Sequence, residues 1–201
     1  LSEKEELILP LFPVTIKKHE TDPLQVAAIQ RYIQERKMSN KINIADVFWM
    51  QQWILHWGKY IGNEGLWDGH DRYRLLSKLL RVRDTRTVWK DGHPAFEYDC
   101  DDNAITFNQI LNYYGYPTYF LLISQKPFDR HEGVHPLHHV LPVVQYGGRL
   151  FAVEGIRQMP IVPIEYLTYI FEGLTRAVLI EPDGSWNELE DWKKHKVIRR
   201  K

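Results

Sequence analysis

Cysteine is nearly absent from this 201-residue chain, in which Cys100 is the single example. No internal disulfide can form, so a disulfide-stapled fold is excluded and nothing demands an oxidising compartment. An excess of either charge is also missing, because 26 Lys and Arg residues balance 26 Asp and Glu residues. A protein that mainly holds nucleic acid or an anionic membrane is normally basic, so both partners are disfavoured.

Long apolar runs are missing as well, and none approaches the roughly 18 residues that are needed to cross a bilayer. The acidic start, from Leu1 to Glu6, lacks the apolar core of a signal peptide. A cytoplasmic location is therefore the default expectation. The compartment itself is left undetermined, because a chain that begins with leucine looks trimmed and a targeting peptide would then already be gone.

What the chain does contain is the composition of a globular protein, with 44% apolar and 26% charged residues. The predicted elements, in order, are helices at 24–37, 45–61 and 72–80, a strand at 87–89, a helix at 101–114, a strand at 117–123, a hairpin at 137–153, a short helix at 164–171 and a strand at 176–180. This order predicts an α+β fold, in which N-terminal helices precede one helix packed on an antiparallel sheet.

We expect one compact domain with three parts. Residues 1–80 form a helical N-terminal part with an extended arm, residues 81–185 form the core, and residues 186–201 form a basic tail. The helical part carries no motif of its own, so it either builds one wall of a cleft or offers a surface to a protein partner.

The most informative segment places the cysteine where a helix should begin, in the run Asp99-Cys100-Asp101-Asp102-Asn103-Ala104. Unpaired N–H groups and the helix dipole stabilise negative charge at a helix N-terminus, so a thiol there loses its proton more easily. The thiolate is the attacking form of cysteine. Two considerations oppose this interpretation: a single cysteine is commonly a small buried apolar residue, and three neighbouring acids repel a thiolate.

A base and an acid follow at useful positions. His138 and His139 begin a predicted strand, and Glu154 ends the strand that returns beside it. A hairpin brings these two ends together, so Glu154 could orient an imidazole as the third member of a triad does. Neighbouring strand residues face opposite ways, so only one of the two histidines can face the cysteine.

Together these segments resemble the bacterial transglutaminase-like cysteine proteinases, which belong to the papain-like superfamily. The family pattern is Gly-Asp-Cys-Glu-Asp-aromatic-Ala, a helix, a Gly-hydrophobic-Pro turn and strand, a His-small-hydrophobic strand, and an acid after the next strand. The matching segments, within about residues 89–155, are Trp89, Asp99–Ala104, Gly115-Tyr116-Pro117, His139-Val140-Leu141 and Phe151–Glu154. The chain departs from the pattern at Tyr98, where the family has glycine, and at Glu154, where it has aspartate.

The resemblance implies a transglutaminase-like, papain-like core over residues 81–185. It implies a cysteine-dependent hydrolase or acyl transferase that attacks an amide bond through Cys100, His139 and Glu154, without cofactor or metal. His139 is favoured over His138 because Val140-Leu141 fits the small-then-hydrophobic pattern. The implied substrate is a protein, a peptide or a cell-wall peptide. Because the family also has members that bind without cleaving, the alternative is a catalytically silent fold that serves as a module of a larger assembly.

A second motif, His131-Glu132-Gly133-Val134-His135, formally matches the zinc-protease pattern His-Glu-x-x-His. That pattern requires a helix, and both Gly133 and the following Pro136 oppose one. We therefore expect no catalytic zinc helix, while a looser zinc site that uses His131, His135 and His138 remains an alternative.

Two further patterns have a plain structural explanation. Asp99, Asp101 and Asp102 suggest a cation site, but acids at a helix start are more often caps and dipole partners. The tryptophans at 49, 53 and 57 share one face of a predicted helix. We expect them to be core residues, and an exposed tryptophan would favour a glycan or cell-wall substrate.

Overall fold

The computed structural model describes residues 23–36, 42–55, 58–60, 96–125, 137–153, 161–190 and 193. The extended arm before residue 23, the predicted helix at 72–80, the predicted strand at 87–89 and most of the basic tail lie outside these residues. The three-part division of the chain stays a prediction.

Three α-helices are described, at Pro23–Arg36 (α1), Ile44–Leu55 (α2) and Cys100–Tyr113 (α3). α1 begins with proline, whose missing N–H costs nothing in the first turn. α2 begins with a reciprocal cap: the Asp46 N–H donates to Asn43 Oδ1 at 2.9 Å, and the Asn43 N–H donates to Asp46 Oδ2 at 3.0 Å. In the part of the chain that is described, no helix is long and apolar enough to cross a membrane.

The prediction of one helix over residues 45–61 is wrong at its C-terminal end. α2 ends at Leu55, and Gly58–Tyr60 forms strand β1, which pairs in parallel with β2 (Phe96–Tyr98). Gly58 is a poor helix residue, and the partner strand supplies the hydrogen bonds that a helix would otherwise have made. The Tyr60 and Tyr98 rings also meet edge to face, with centroids 5.7 Å apart.

The tryptophan stripe is only partly a core feature. Trp49 is 62% exposed, so the prediction that it lies in the core is wrong. Trp53 is half-buried and packs edge to face on Tyr32, with centroids 5.2 Å apart. Trp57 lies outside the described residues.

Six antiparallel strands form the main sheet, in the spatial order β6-β5-β4-β3-β7-β8. Their bounds are Tyr119–Gln125 (β3), His139–Tyr146 (β4), Arg149–Val153 (β5), Ile161–Pro163 (β6), Leu174–Ile180 (β7) and Trp186–Glu188 (β8), with a 3-10 helix at Ile164–Tyr169. Gly147 and Gly148 turn the β4–β5 hairpin with φ of 57° and 76°, the left-handed values that such a two-residue turn requires. The α+β class and the hairpin are therefore confirmed.

The two faces of the sheet bury different apolar clusters. On the face that α3 covers lies the Cys100 cluster, which comprises Cys100, Ala104, Ile105, Phe120, Leu122, Leu137, Val140, Val178 and Ile180. Leu121, Leu141 and Leu179 alternate with these strand residues and belong to the Phe171 cluster, which comprises Leu121, Ile123, Leu141, Val143, Ala152, Leu167, Phe171, Leu174, Ala177 and Leu179. Strand residues two apart share a face, so Phe120, Leu122, Val140, Val178 and Ile180 point toward α3, and the residues that alternate with them point away.

The helices are joined to the sheet by a third group of buried residues. It comprises Ile29, Tyr32, Ile42, Val47, Met50, Phe107, Ile110, Leu111, Val144 and Val153. α3 therefore lies between the N-terminal helices and the sheet, and its burial explains why Phe107 and Ile110 are inaccessible to solvent.

Candidate active site

Cys100 is the first residue of α3, and a local hydrogen-bond pattern holds the start of that helix. Asp99 precedes it with extended backbone, φ −131° and ψ −160°, and acts as the N-cap. The Asp102 N–H donates to Asp99 Oδ1 at 3.4 Å and also to Asp101 Oδ1 at 2.8 Å. The Asn103 N–H donates to the Asp99 carbonyl at 3.1 Å, which closes the first turn. The expected helix start and the capping role of Asp99 are confirmed.

The first turn of α3 is buried although it is polar. Asp101, Asp102 and Asn103 are all at least nine-tenths buried. The Gln51 side-chain amide, on α2, donates to the Asn103 carbonyl at 2.8 Å and also to Asn103 Oδ1. This amide bridge ties α2 to the start of α3. It also gives the buried Asn103 oxygens a donor, and a buried polar group without a partner would cost free energy of folding. The sequence carried no signal for it, since the two residues are far apart in the chain.

The Cys100 side chain is 1% exposed. Its apolar surroundings include Leu137 and Val140, the two residues that flank the histidine doublet. The structure therefore brings the cysteine to the end of the sheet where the doublet lies.

The two histidine rings have different surroundings. His139 pairs with Ile123 across the ladder, and its ring contacts Phe171 with centroids 5.9 Å apart. That contact belongs to the face away from α3, as the parity of Leu141 also indicates. His138 precedes β4, and Leu137 and Val140 on either side of the doublet both belong to the Cys100 cluster, so the strand alternation does not extend to His138.

His138 is held by the backbone of β3. Its own N–H donates to the Ile123 carbonyl at 3.0 Å, and the Gln125 N–H donates to His138 Nε2 at 2.8 Å. An Nε2 atom that accepts a hydrogen bond carries no proton, so the neutral ring has its proton on Nδ1. The β3–β7 register shifts between Ser124 and Gln125, and this irregularity lies beside the Gln125 donor. This donor could not be predicted from the sequence, because a backbone N–H is common to almost every residue type.

The other predicted site residues lie outside the described part of the chain. Glu154 directly follows the end of β5 at Val153, and His131 and His135 belong to the segment before Leu137. The assignment of Cys100, His139 and Glu154 as a catalytic triad therefore stays a prediction, and so does the zinc alternative.

Three carboxylates at the start of α3 are close enough to share a cation. One oxygen from each of Asp99, Asp101 and Asp102 lies within 4.8 Å of the others. Oxygen atoms of Asp99 and Asp101 both accept the Asp102 N–H, so the helix start already uses part of this cluster. Nothing beyond the proximity of the acids points to an ion.

Tyr98 stands where the family pattern has glycine; it is the last residue of β2 and directly precedes Asp99. Burial raises the pKa of the Tyr98 phenol above its usual value. The ring packs on Tyr60 and so ties β1 to the residue before the cap. A side chain at this position therefore has a packing role that glycine could not fill.

No protein-family model matches the sequence, and no curated protein matches it either. Among solved structures, the chain is similar to a presumed protease from Parabacteroides distasonis, with a TM-score of 0.43 and 14% identity over 91% of this chain and 31% of that chain. It is also similar to a chain in the crystal structure of Rad4–Rad23 crosslinked to an undamaged DNA, with a TM-score of 0.47 and 12% identity over 96% of this chain and 50% of that chain. The chain thus spans half or less of the length of either structure. Identities and TM-scores this low do not establish a family.

Proposed function

We propose that this protein is a cysteine-dependent hydrolase of amide bonds and that Cys100 is its nucleophile. The observation that carries the proposal is the position of Cys100 at the first residue of α3, in one apolar cluster with Leu137 and Val140 on either side of the histidine doublet. Reactive cysteines are found at helix N-termini, and the sheet supplies imidazole at the same end. The motif resemblance adds the order of cysteine, histidine and acid along the chain.

We propose His138, and not His139, as the base. The direction of the His139 ring supports this choice, because it contacts Phe171 on the face away from α3, whereas Leu137 and Val140 on either side of the doublet pack with Cys100. The Gln125 N–H orients the His138 ring, a role for which the sequence pattern suggests Glu154. While Nε2 accepts that bond, the neutral ring carries its proton on Nδ1. His138 therefore takes up the thiol proton, and becomes the imidazolium, only when the Gln125 bond opens and leaves Nε2 free.

The proposed reaction runs through a thioester. The Cys100 thiolate attacks the amide carbonyl carbon, and a C–S bond forms while the carbonyl oxygen becomes an oxyanion. The backbone N–H of Cys100 is the candidate donor to that oxyanion. The C–N bond then breaks as the imidazolium gives its proton to the leaving amine. Water attacks the thioester, releases the carboxylic acid and restores the thiol; an amine in place of water would give acyl transfer.

The substrate that we propose is a protein, a peptide or a cell-wall peptide, since these carry the amide bond that the chemistry requires. This class comes from the resemblance and from the proposed nucleophile, and no cofactor or metal enters the reaction. A substrate screen is informative only after the thiol has been shown to react.

The test is the rate of iodoacetamide alkylation of the native protein as a function of pH. The single cysteine makes the signal unambiguous, and Cys100→Ala is the blank. We expect alkylation at pH 6 to be faster than that of a free cysteine peptide, and we expect His138→Ala to slow it more than the matched His139→Ala. Equal rates in the two histidine variants would remove His138 as the base. A rate that rises only above about pH 8, as for an unperturbed thiol, would refute the nucleophile.

The second candidate is a catalytically silent module that binds a partner. The burial of Cys100, at 1% exposure, favours it, because a nucleophile has to meet its substrate. This candidate predicts that iodoacetamide modifies Cys100 only after unfolding in urea, with the native protein unreactive at every pH at which it stays folded. Rapid alkylation of the native protein in the absence of urea would exclude it.

A further inference from the structure

A cavity of about 300 Å³ lies near the C-terminal end of α3, far from the thiol. Val47, Leu111 and Val144 form its buried walls, and Tyr116 and Tyr146 are exposed residues of its lining. Leu111 is eleven positions after Cys100 in the sequence, which corresponds to about 16 Å along a helix. We propose that this cavity is a binding site for a small, uncharged aromatic molecule.

The walls of the cavity are held in place before any ligand arrives. The reciprocal cap between Asn43 and Asp46 fixes the start of α2. The Tyr116 hydroxyl donates to the Ile42 carbonyl at 3.3 Å, which links the two loops on either side of the cavity. A preformed site loses little conformational entropy when it binds, so such a cavity can hold a small ligand that offers few contacts.

The turn after α3 also helps to fix the walls of the cavity. The Gly115 N–H donates to the Asn112 carbonyl at 2.9 Å, and the Tyr116 N–H donates to the Leu111 carbonyl at 3.1 Å. Gly115 has a φ of 76°, which allows this tight end of the helix. Tyr116 and Pro117 therefore leave the helix directly into the wall of the cavity.

The size and chemistry of the cavity select the ligand. Its volume is at the lower end of the range for small-molecule sites, and it is about twice that of an engineered apolar cavity that binds benzene. Among the described residues that line it, none is Asp, Glu, Lys, Arg or His, so a charged ligand would lose its hydration without gaining a partner. The two exposed tyrosine rings favour an aromatic ligand, because aromatic rings attract each other beyond their area of contact.

This site does not depend on the proposed hydrolase activity. It lies at the other end of α3, and no residue of the Cys100 cluster lines it. A failure of the cavity to bind a ligand would leave the alkylation of Cys100 unaffected, and an inert Cys100 would leave the cavity intact.

The probe for the test is 1-aminoanthracene, a neutral aromatic amine whose fluorescence rises in apolar surroundings, with indole as the competitor. We expect the full chain to bind one equivalent of the probe and indole to displace it. The double variant Tyr116→Ala, Tyr146→Ala should bind at least tenfold more weakly, and Tyr146→Phe should retain binding because its ring remains. Tyr169→Ala is the matched control, since Tyr169 is 67% exposed and does not line the cavity.

The location of the ligand is read by NMR of methyl groups, which keeps the test independent of variant stability. Saturation with indole should shift the methyl resonances of Val47, Leu111 and Val144 and leave those of Leu122 and Val178 unchanged. Unchanged affinity in the double variant, several equivalents of bound probe, or shifts confined to Leu122 and Val178 would each overturn the proposal.

Discussion

Replacement of the helix cap at Asp99 separates the structural role of that carboxylate from its charge. Replacement of an N-cap residue by alanine usually lowers the free energy of unfolding by about 0.5–2 kcal/mol, whereas asparagine caps a helix about as well as aspartate does. Here the Asp102 N–H is 3.4 Å from Asp99 Oδ1 and only 2.8 Å from Asp101 Oδ1. Because the donor keeps the shorter bond when Asp99 is removed, we expect Asp99→Ala to cost about 0.5 kcal/mol and Asp99→Asn less than that.

The assay is urea unfolding followed by far-ultraviolet circular dichroism. With a slope of about 2–3 kcal/mol per molar urea, the alanine variant should lose about 0.2 M in midpoint at an unchanged slope. Both variants remove a negative charge from the residue that precedes Cys100 in the chain, so both should speed the alkylation of Cys100 by a similar factor.

Two results would refute this reasoning. If Asp99→Ala lowers the free energy of unfolding by more than about 2 kcal/mol, the Asp99 carboxylate stabilises the protein mainly by something other than its hydrogen bond to the Asp102 N–H. Faster alkylation in Asp99→Ala alone, with Asp99→Asn like the parent protein, would mean that helix fraying, and not charge, controls the thiol.

Two further predictions concern the C-terminal end of α3. Burial raises the pKa of the Tyr114 hydroxyl from 10.0 to about 12, with smaller contributions from the neighbouring Tyr113 and Asp46. As the pH rises, this hydroxyl therefore loses its proton in the unfolded chain before it does so in the folded protein. The free energy of unfolding should consequently fall between pH 10 and pH 12. The Tyr114 hydroxyl is buried without a hydrogen-bond partner in the described structure, so Tyr114→Phe should be at least as stable at pH 7 and show a shallower alkaline loss in urea titrations; a steeper loss would contradict this assignment. Gly115→Ala should lower the free energy of unfolding by about 1–2 kcal/mol, which is the strain of a non-glycine residue in the left-handed region. A Cβ at this position meets no atom within 4 Å, so the strain comes from the backbone angle φ and not from a clash. Gly115→Asn should recover part of that loss in thermal melts, and equal melting temperatures for alanine, asparagine and glycine would show that the backbone relaxes.

Local signals in the sequence were sufficient for the elements nearest to the site. The cap at Asp99 and the glycine at 115 bracket α3, and the Gly147-Gly148 pair turns the hairpin, because each signal acts on residues a few positions away. The α+β class followed from the order of these elements. The position of Cys100 at a helix start was likewise available from the sequence.

Only the tertiary structure decided what depends on distant partners. The end of α2 at Leu55 follows from the pairing of β1 with β2, which no local pattern announces. The alternation along β4 was evident, but the contact of the His139 ring with Phe171, on the face away from α3, depends on which face of the sheet that helix covers. The Gln125 N–H that holds His138 becomes visible only when β3 lies beside it. Periodicity determines which residues share a face, and packing determines which face becomes the site.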